Sequence, residues 1–260
     1  MSIKVAVHGA SGKMGQMVIS AVGLDPDLTL VGGIDVQVQG NTMSVPGGHI
    51  PCGTELGAVI QETHPDVLVD FSTAQAVIPM VRAAAAHRVH VVSGTTGLST
   101  DDLMVIGEIT RAAGIGAVVA ANFALGAVVM MHLAELAAKY FDRAEIIEEH
   151  HDQKLDAPSG TALATAKLMT QSRGQKFSES AHEKSIPPRG QNMDGIAIHS
   201  VRLPGIVARQ EILFGATGQT LSIKHDAISR DCYMPGVIIA IKRVREFHGL
   251  VSGLDKLLGF

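Results

Sequence analysis

Aromatic residues are scarce in this sequence, where they make up 3% of 260 residues and tryptophan is absent. Because hydrophobic residues of all kinds still reach 46%, the core must be built from Val, Ile, Leu, Ala and Met. Such a core is typical of strands and helices that alternate around a buried sheet. The length is sufficient for one large core or two smaller ones.

The sequence also contains few cysteines, and its basic residues are fewer than its acidic ones. Two cysteines, Cys52 and Cys232, are too few for a disulfide framework, and we interpret them as thiols in a reducing compartment. The formal net charge is −4 at pH 7 and no basic stripe is present. This charge pattern argues against a nucleic-acid partner.

One uncharged segment, residues 112–134, is long enough to be compared with a membrane span. Three glycines and Asn122 interrupt it, and its pattern favours a buried strand, a turn and a helix over about 125–141. The first residues form a short strand-like run with no charged leader. We therefore expect no secretory signal, no membrane partner and a cytoplasmic protein.

A glycine-rich loop follows the first predicted strand, residues 3–7. It reads Gly9-Ala10-Ser11-Gly12-Lys13-Met14-Gly15 and leads into an amphipathic helix. Glycines let the backbone approach a pyrophosphate, and the N-terminus of the helix presents free N–H groups to it. The spacing G-x-x-G-x-x-G is less specific than G-x-G-x-x-G, and it also suits a purely structural turn.

The second predicted strand, residues 28–34, supports the nucleotide interpretation. It ends on Asp35, where a dinucleotide site places the carboxylate that accepts hydrogen bonds from the adenosine ribose; a surface acid is the alternative. Val36 follows where an arginine could receive a 2′-phosphate, although Lys13 could supply some of that charge. We therefore predict a preference for NADH over NADPH.

Three more predicted strands run into loops of small residues, at 70–73, 94–97 and 120–123. Ligands of open parallel sheets bind outside the carboxyl ends of the strands. We therefore expect these loops and the glycine loop to line one crevice. Ser72-Thr73 is predicted as a helix N-cap, and residues 41–53, rich in Gly and Pro, are predicted as a loop.

Beyond residue 141 the pattern of the chain changes. We predict a strand over 144–148, a helix over about 159–169, a long loop over 172–195, strands over 196–201, 210–214 and 220–224, and a final helical segment from Pro235. The last two strands are joined by a predicted hairpin turn at 215–218. This half is therefore predicted to be α+β, with a mixed or antiparallel sheet.

Residues 148–161 concentrate the reactive side chains of the sequence. They read Glu148-Glu149-His150-His151-Asp152-Gln153-Lys154-Leu155-Asp156-Ala157-Pro158-Ser159-Gly160-Thr161. His150 can exchange protons near neutral pH, and Lys154 can donate a proton or pair with a carboxylate. The start of the helix at Ser159-Gly160-Thr161 would form an anion cradle, although Ser159 also suits a simple N-cap.

Adjacent histidines raise the alternative of a metal site. Neighbours in extended backbone point to opposite faces, so His150 and His151 would seldom chelate one ion. No H-E-x-x-H or C-x-x-C motif accompanies them, and we expect no metal. The carboxylates Glu148, Glu149, Asp152 and Asp156 are interpreted as orienting or solvated groups.

Together, the glycine loop, Gly94-Thr95-Thr96, Asn122-Phe123 and the His-His…Lys-x-Asp-Ala-Pro-Ser-Gly-Thr run resemble the 4-hydroxy-tetrahydrodipicolinate reductases. This family, also called the dihydrodipicolinate reductases, serves the diaminopimelate route to lysine. The resemblance covers essentially the whole chain. It implies a Rossmann-like dinucleotide-binding domain formed by 1–123 and 235–260, an α+β substrate-binding and oligomerisation domain over 124–234, and a homotetramer.

The resemblance also implies an oxidoreductase that uses NADH or NADPH to reduce a small dicarboxylate, 4-hydroxy-tetrahydrodipicolinate, to tetrahydrodipicolinate. His150 would be the acid/base residue and Lys154 the proton donor. His151, Ser159, Gly160 and Thr161 would bind substrate. The cofactor would contact Gly9, Ala10, Ser11, Gly12, Lys13, Met14, Asp35, Gly94, Thr95, Thr96, Ala120, Ala121, Asn122 and Phe123.

Two positions depart from the family pattern. Val36 replaces the arginine of some members, and Arg209 stands within a run where a Gly-x-His-Glu-like sequence is expected, so we assign it no role.

The alternatives to a reductase are a nucleotide-binding regulator without turnover and a metal-assisted hydrolase. The regulator would not need His-x-x-x-Lys beside an anion cradle, and the hydrolase would not need the glycine loop with Asp35.

Overall fold

Thirteen strands and eight α-helices lie in the residues that the computed structural model describes, 2–178 and 189–260. In chain order they are β1 (Ile3–His8), α1 (Lys13–Leu24), β2 (Leu28–Ile34), β3 (Thr42–Val45), β4 (Gly48–Gly53), α2 (Leu56–Thr63), β5 (Val67–Asp70), α3 (Ala74–Ala86), β6 (His90–Ser93), α4 (Thr100–Ala113), β7 (Gly116–Val119), α5 (Leu125–Ala138), β8 (Arg143–His150), α6 (Gly160–Arg173), β9 (Gln191–Met193), β10 (Ile196–Arg202), β11 (Ala208–Ala216), β12 (Gln219–Ala227), α7 (Met234–Arg243), β13 (Gly249–Ser252) and α8 (Leu254–Leu258). Short 3₁₀ helices, Arg230–Tyr233 and Val244–Glu246, flank α7.

The chain divides into two compact units. The first contains the residues up to Phe123 together with Tyr233–Phe260, and the second is Ala124–Cys232. The division expected from the sequence, 1–123 with 235–260 and 124–234, lies within two residues of these bounds.

The first unit is built on an eight-stranded sheet with the strand order β13-β7-β6-β5-β1-β2-β4-β3. Its neighbouring strands pair in parallel, apart from the antiparallel pair β3–β4. Every residue of β5 and β7 is buried, which explains why these strands are continuous apolar runs without alternation. The predicted α/β class is confirmed for this unit.

The strand order places the predicted loops at one edge of this sheet. The four strands β1, β5, β6 and β7 are successive parallel neighbours. The segments that follow them, 9–15, 71–73, 94–97 and 120–123, therefore leave the sheet at its carboxyl edge. The prediction that these loops share one edge of the sheet is confirmed.

Two predictions for the first unit are wrong in detail, and a third, the N-cap of α3, is confirmed in position only. Residues 41–53 are not a loop but the hairpin β3–β4, with Gly and Pro placed at its turn, residues 46–47. The C-terminal segment is not only helical, because β13 pairs with β7; its four residues are too few to display a periodic pattern. Thr73 is the N-cap residue of α3 but makes no cap hydrogen bond, and the Ser72 hydroxyl donates to Asp70 instead.

The second unit contains a five-stranded sheet with the order β12-β11-β8-β10-β9. The pair β8–β10 is parallel and the other pairs are antiparallel, so the sheet is mixed, one of the two predicted arrangements. The core of the unit combines Ile146, Ile198, Ile212 and Phe214 of the strands with residues of α5 and α6, such as Met169. The turn between β11 and β12 is shorter than predicted and consists of residues 217–218.

The bounds predicted for the loop over 172–195 are wrong at both ends. The helix α6 continues to Arg173 and ends where Gly174 adopts a φ of +74°, and β9 covers Gln191–Met193. Residues 179–188 lie outside the described part of the chain. Within the described ranges, no helix combines the length and apolar character that a membrane crossing requires.

Candidate active site

The glycine loop joins β1 to α1 in a turn whose glycines pack against the backbone. Gly9 has a φ of +79°, and a Cβ there would lie 2.5 Å from the carbonyl oxygen of Phe71. A Cβ on Gly15 would lie 2.1 Å from the carbonyl oxygen of Gly9. The fold itself therefore requires both glycines. Gly12 is the N-cap of α1, and no described side chain caps this helix, so its first N–H groups are available to an anion such as a pyrophosphate.

Asp35 lies beside the same loop, directly after β2. One oxygen of its carboxylate accepts the N–H of Ser11 at 2.9 Å and the other accepts the N–H of Gln37 at 2.9 Å. The next side chain, Val36, is 86% exposed, and Lys13 is exposed at the first position of α1. The carboxylate is therefore an acceptor next to the glycine loop, where a dinucleotide places its adenosine ribose.

Asp70, for which no role was predicted from the sequence, connects the ends of three strands. Its buried carboxylate accepts hydrogen bonds from the hydroxyls of Ser72 at 2.6 Å, Ser93 at 2.7 Å and Thr95 at 2.8 Å, and from Nδ1 of His8 at 2.8 Å. Burial by itself would raise the pKa of Asp70, but the hydrogen bonds from His8, Ser72 and Ser93 lower it below its ordinary value. An ionised carboxylate thus organises the ends of β1, β5 and β6.

The loops after β6 and β7 pack around the ring of Phe71. A Cβ on Gly94 would lie 2.1 Å from Cε1 of Phe71, and the rings of Phe71 and Phe123 are 6.1 Å apart. Phe123 and Thr95 are buried, so their side chains belong to the packing of this sheet edge. The remaining predicted contacts at this edge differ in exposure: Ser11, Gly12, Thr96 and Ala121 are exposed, Met14 and Asn122 half-buried, and Ala10 and Ala120 buried.

In the second unit, β8 carries His150 at its C-terminal end. Nδ1 of His150 lies 2.5 Å from Oε2 of Glu148, a buried residue on the same face of the strand. Arg202 is aligned with His150 on the neighbouring β10. Its two terminal nitrogens donate to the two oxygens of Glu148 at 2.8 and 3.0 Å. Arg202 was not predicted from the sequence, where its signal is only that of a single cation at the end of a predicted strand.

Glu148 is ionised although it is buried. Burial would raise its pKa, but hydrogen bonds from His150, Arg202 and Ser200 lower the pKa to about 2. The carboxylate also accepts the backbone N–H of Ser159 at 3.2 Å. Glu148 therefore connects the end of β8 to the start of the predicted anion cradle.

Lys154 lies between β8 and α6, and the predicted anion cradle coincides with the N-cap and first turn of α6. The ammonium of Lys154 donates to Asp156 at 2.7 Å, and this hydrogen bond lowers the pKa of Asp156. Ser159 is the N-cap of α6, where its hydroxyl accepts the N–H of Ala162 at 3.2 Å. A Cβ on Gly160 would meet no described atom within 4 Å, and Gly160 is exposed while Thr161 is half-buried. There is therefore room for a ligand at the first turn of this helix.

Other polar residues of the 148–161 stretch have different surroundings. Arg209 pairs with Glu149 at 3.3 Å and with Asp226 at 2.9 Å, whereas His151 and Asp152 are exposed. Within the described ranges, no group of three or more His, Cys, Asp or Glu side chains is arranged to hold a metal ion.

Family models of dihydrodipicolinate reductase match both parts of the chain, the N-terminal model over residues 3–123 and the C-terminal model over residues 126–258. The chain belongs to the dihydrodipicolinate reductase family. The resemblance predicted from the sequence is confirmed.

Individual members of the dihydrodipicolinate reductase family resemble the chain over almost its whole length. The 4-hydroxy-tetrahydrodipicolinate reductase of Dehalococcoides mccartyi is 51% identical over 98% of each chain. That of Moorella thermoacetica is 46% identical over 100% of this chain and 99% of its own. The dipicolinate-bound dihydrodipicolinate reductase from Paenisporosarcina sp. TG-14 has a TM-score of 0.88 and 40% identity, covering 98% of this chain and 99% of its own.

Proposed function

We propose that the protein reduces 4-hydroxy-tetrahydrodipicolinate to tetrahydrodipicolinate in lysine biosynthesis by the diaminopimelate route, using NADH or NADPH. The observation that carries the proposal is the arrangement at the end of β8, where His150 is bonded to an ionised Glu148 and Lys154 precedes an accessible helix start. The names of the family members support the substrate.

The residues of the first unit fit a nicotinamide dinucleotide. The glycine loop and the uncapped start of α1 would bind the pyrophosphate, and Asp35 would bind the adenosine ribose. The loops at 94–96 and 120–123 would complete the cofactor site at the same sheet edge. When bound, the nicotinamide supplies a hydride.

The residues of the second unit would bind the dicarboxylate and handle protons. Replacing a ring hydroxyl by hydrogen consumes a hydride and a proton and releases water. Lys154 would donate this proton, and His150 would exchange protons as the acid/base residue. Ser159, Gly160 and Thr161, with His151, would hold a substrate carboxylate at the N-terminus of α6. A relative bound to dipicolinate, a ring dicarboxylate, supports this substrate class.

The direct test combines the purified protein with NADH or NADPH and enzymatically generated substrate. We expect the absorbance of the reduced cofactor to fall only when substrate is present. A chain that oxidises neither cofactor under these conditions is not a reductase of this substrate.

For the cofactor preference, we propose NADH. The Asp35 carboxylate would repel a 2′-phosphate, and the exposed Val36 provides no cation to compensate. We expect kcat/KM to be higher with NADH, and Val36→Arg to shift the ratio toward NADPH by roughly tenfold, equivalent to about 1.4 kcal/mol. A strong NADPH preference of the unmodified protein would contradict this proposal.

We also propose a cytoplasmic homotetramer. The family resemblance supports the assembly, and the two free cysteines, Cys52 and Cys232, suit a reducing compartment. Light scattering of the purified protein tests the assembly. A native mass of one or two chains would contradict the tetramer.

A further inference from the structure

The ion pair Glu148–Arg202 connects the segments of the second unit that the proposed function uses. Glu148 receives hydrogen bonds from His150 and from the backbone of Ser159. Arg202 donates both to Glu148 and to the carbonyl oxygen of Asp156, the partner of Lys154. One pair therefore contacts the strand end, the lysine turn and the start of the anion cradle.

The ionisation of Glu148 determines which nitrogen of His150 carries hydrogen. An ionised carboxylate can only accept hydrogen bonds, so the contact of 2.5 Å requires Nδ1 of His150 to be the donor. In the neutral imidazole, the other nitrogen, Nε2, is then without hydrogen. Because Nδ1 is hydrogen-bonded to Glu148, Nε2 is the nitrogen that can exchange a proton with a ligand.

Arg202 maintains the ionisation of Glu148. The carboxylate is buried, and a buried carboxylate without a cation favours its protonated form. Because both terminal nitrogens of Arg202 already donate to Glu148, its charge is neutralised within the pair. Arg202 therefore acts on His150 through Glu148.

We infer that Glu148 and Arg202 are positioning residues of the reductase site: they fix the Nδ1–H tautomer of His150, and His150 exchanges its proton through Nε2. This inference rests on the proposed function for its catalytic consequence. The tautomer itself can be measured without turnover.

The first experiment is ¹⁵N NMR of histidine-labelled wild-type protein near neutral pH, with the His150 signals assigned by their loss in His150→Gln. We expect Nδ1 to carry hydrogen whenever the ring is neutral, and Glu148→Gln to remove this preference. A neutral His150 with hydrogen on Nε2 in the wild type overturns the inference. This result decides the matter even if Glu148→Gln does not fold.

The second experiment measures steady-state kinetics of Glu148→Gln, Arg202→Met and Arg202→Lys. We expect the first two to lower kcat by roughly 10²-fold, with the dissociation constant for NADH changed less than about twofold. Arg202→Lys keeps the positive charge, so its kcat should be at least about tenfold higher than that of Arg202→Met. A purely structural role would weaken NADH binding and folding together and would show no recovery of kcat.

The matched control is Glu149→Gln, because Glu149 is adjacent in sequence but pairs with Arg209. We expect its kcat to remain within about twofold of wild type. If the wild type turns over and Glu148→Gln retains its kcat, the inference is wrong while the proposed function stands. If the wild type shows no turnover, the proposed function fails, and the tautomer measurement still tests the positioning role.

Discussion

Four carboxylates with the same charge have different surroundings between residues 148 and 156. Glu148 is buried and ionised, Glu149 pairs with Arg209, Asp152 is exposed, and Asp156 pairs with Lys154. In β8 the alternation of side chains separates Glu148 from Glu149, because neighbouring residues of a strand face opposite sides of the sheet. The prediction that all four are orienting or solvated groups therefore combines carboxylates with different roles.

Substitution of the two proposed proton-handling residues tests their catalytic assignment. We expect His150→Gln and Lys154→Ala each to lower kcat by roughly 10²-fold or more, since each removes a positioned proton donor or acceptor. NADH affinity, measured by fluorescence titration, should stay nearly unchanged. Lys139→Ala, at an exposed lysine of the same unit, is the control. Near-wild-type kcat in both variants would remove these residues from the mechanism.

Two glycines of α1 provide a contrast between a required and a dispensable glycine. In Gly15→Ala the new Cβ would lie 2.1 Å from the carbonyl oxygen of Gly9, whereas in Gly23→Ala it would meet no described atom within 4 Å. We expect Gly15→Ala to lower both thermal stability and NADH affinity, because the glycine loop proposed to bind the pyrophosphate must move. Gly23→Ala should stabilise the protein by about 0.5–1 kcal/mol. Equal effects of the two substitutions would show that the loop adapts.

At the level of elements, the C-terminal segment belongs to the first unit. The strand β13 pairs with β7, and a Cβ on Gly116 of β7 would lie 2.0 Å from the carbonyl oxygen of Val244. In α8, Leu254 and Leu257 are buried. The last residues of the chain therefore complete the sheet and core that position the proposed cofactor loops.

Leucine-to-alanine substitutions test the contribution of α8. Leu257 is 1% exposed, whereas Leu24, also in the first unit, is 86% exposed. We expect Leu257→Ala to lower the free energy of unfolding by about 2–4 kcal/mol, because it removes buried methyl groups and leaves a cavity. Leu24→Ala should change it by less than about 0.5 kcal/mol. Urea titration measures both, and a small effect at Leu257 would mean that α8 contributes little to the core.

At the level of the whole molecule, each unit contains, among its described residues, one buried carboxylate with a lowered pKa. These are Asp70 in the first unit and Glu148 in the second. Each accepts several hydrogen bonds at the end of a strand that leads into a proposed binding loop. The same physical solution, an ionised acceptor among converging donors, is used in both units.

These carboxylates predict a loss of stability in acid. A folded-state pKa below the ordinary values of 3.8 for Asp and 4.5 for Glu stabilises the fold fully above those values, and the stabilisation is lost as the pH falls. For Glu148 the loss should extend from about 4.5 down to about 2. Urea unfolding at about pH 7, 5 and 3 measures it. Glu148→Gln should show a shallower loss, and an equal slope would contradict the assignment.

The family and the α/β character of the first unit could be predicted from the sequence alone, and the glycine loop, Asp35 and residues 150–154 could be selected as candidate site residues. This is possible because these features are local: small residues at turns, apolar runs in buried strands, and reactive side chains within fourteen residues of one another. Short or edge strands, such as β3, β4 and β13, were not predicted, because strands of this length are too short to display a periodic pattern.

The surroundings of these local features depend on contacts between distant parts of the chain. Arg202 lies 52 positions after His150 in the sequence, and it reaches the same site because β10 pairs in parallel with β8. Asp70 acquires its partners from β1 and β6 because these strands flank β5 in the sheet. Burial and strand register, which no local pattern encodes, turn Glu148 and Asp70 from ordinary acids into ionised acceptors at the proposed binding sites.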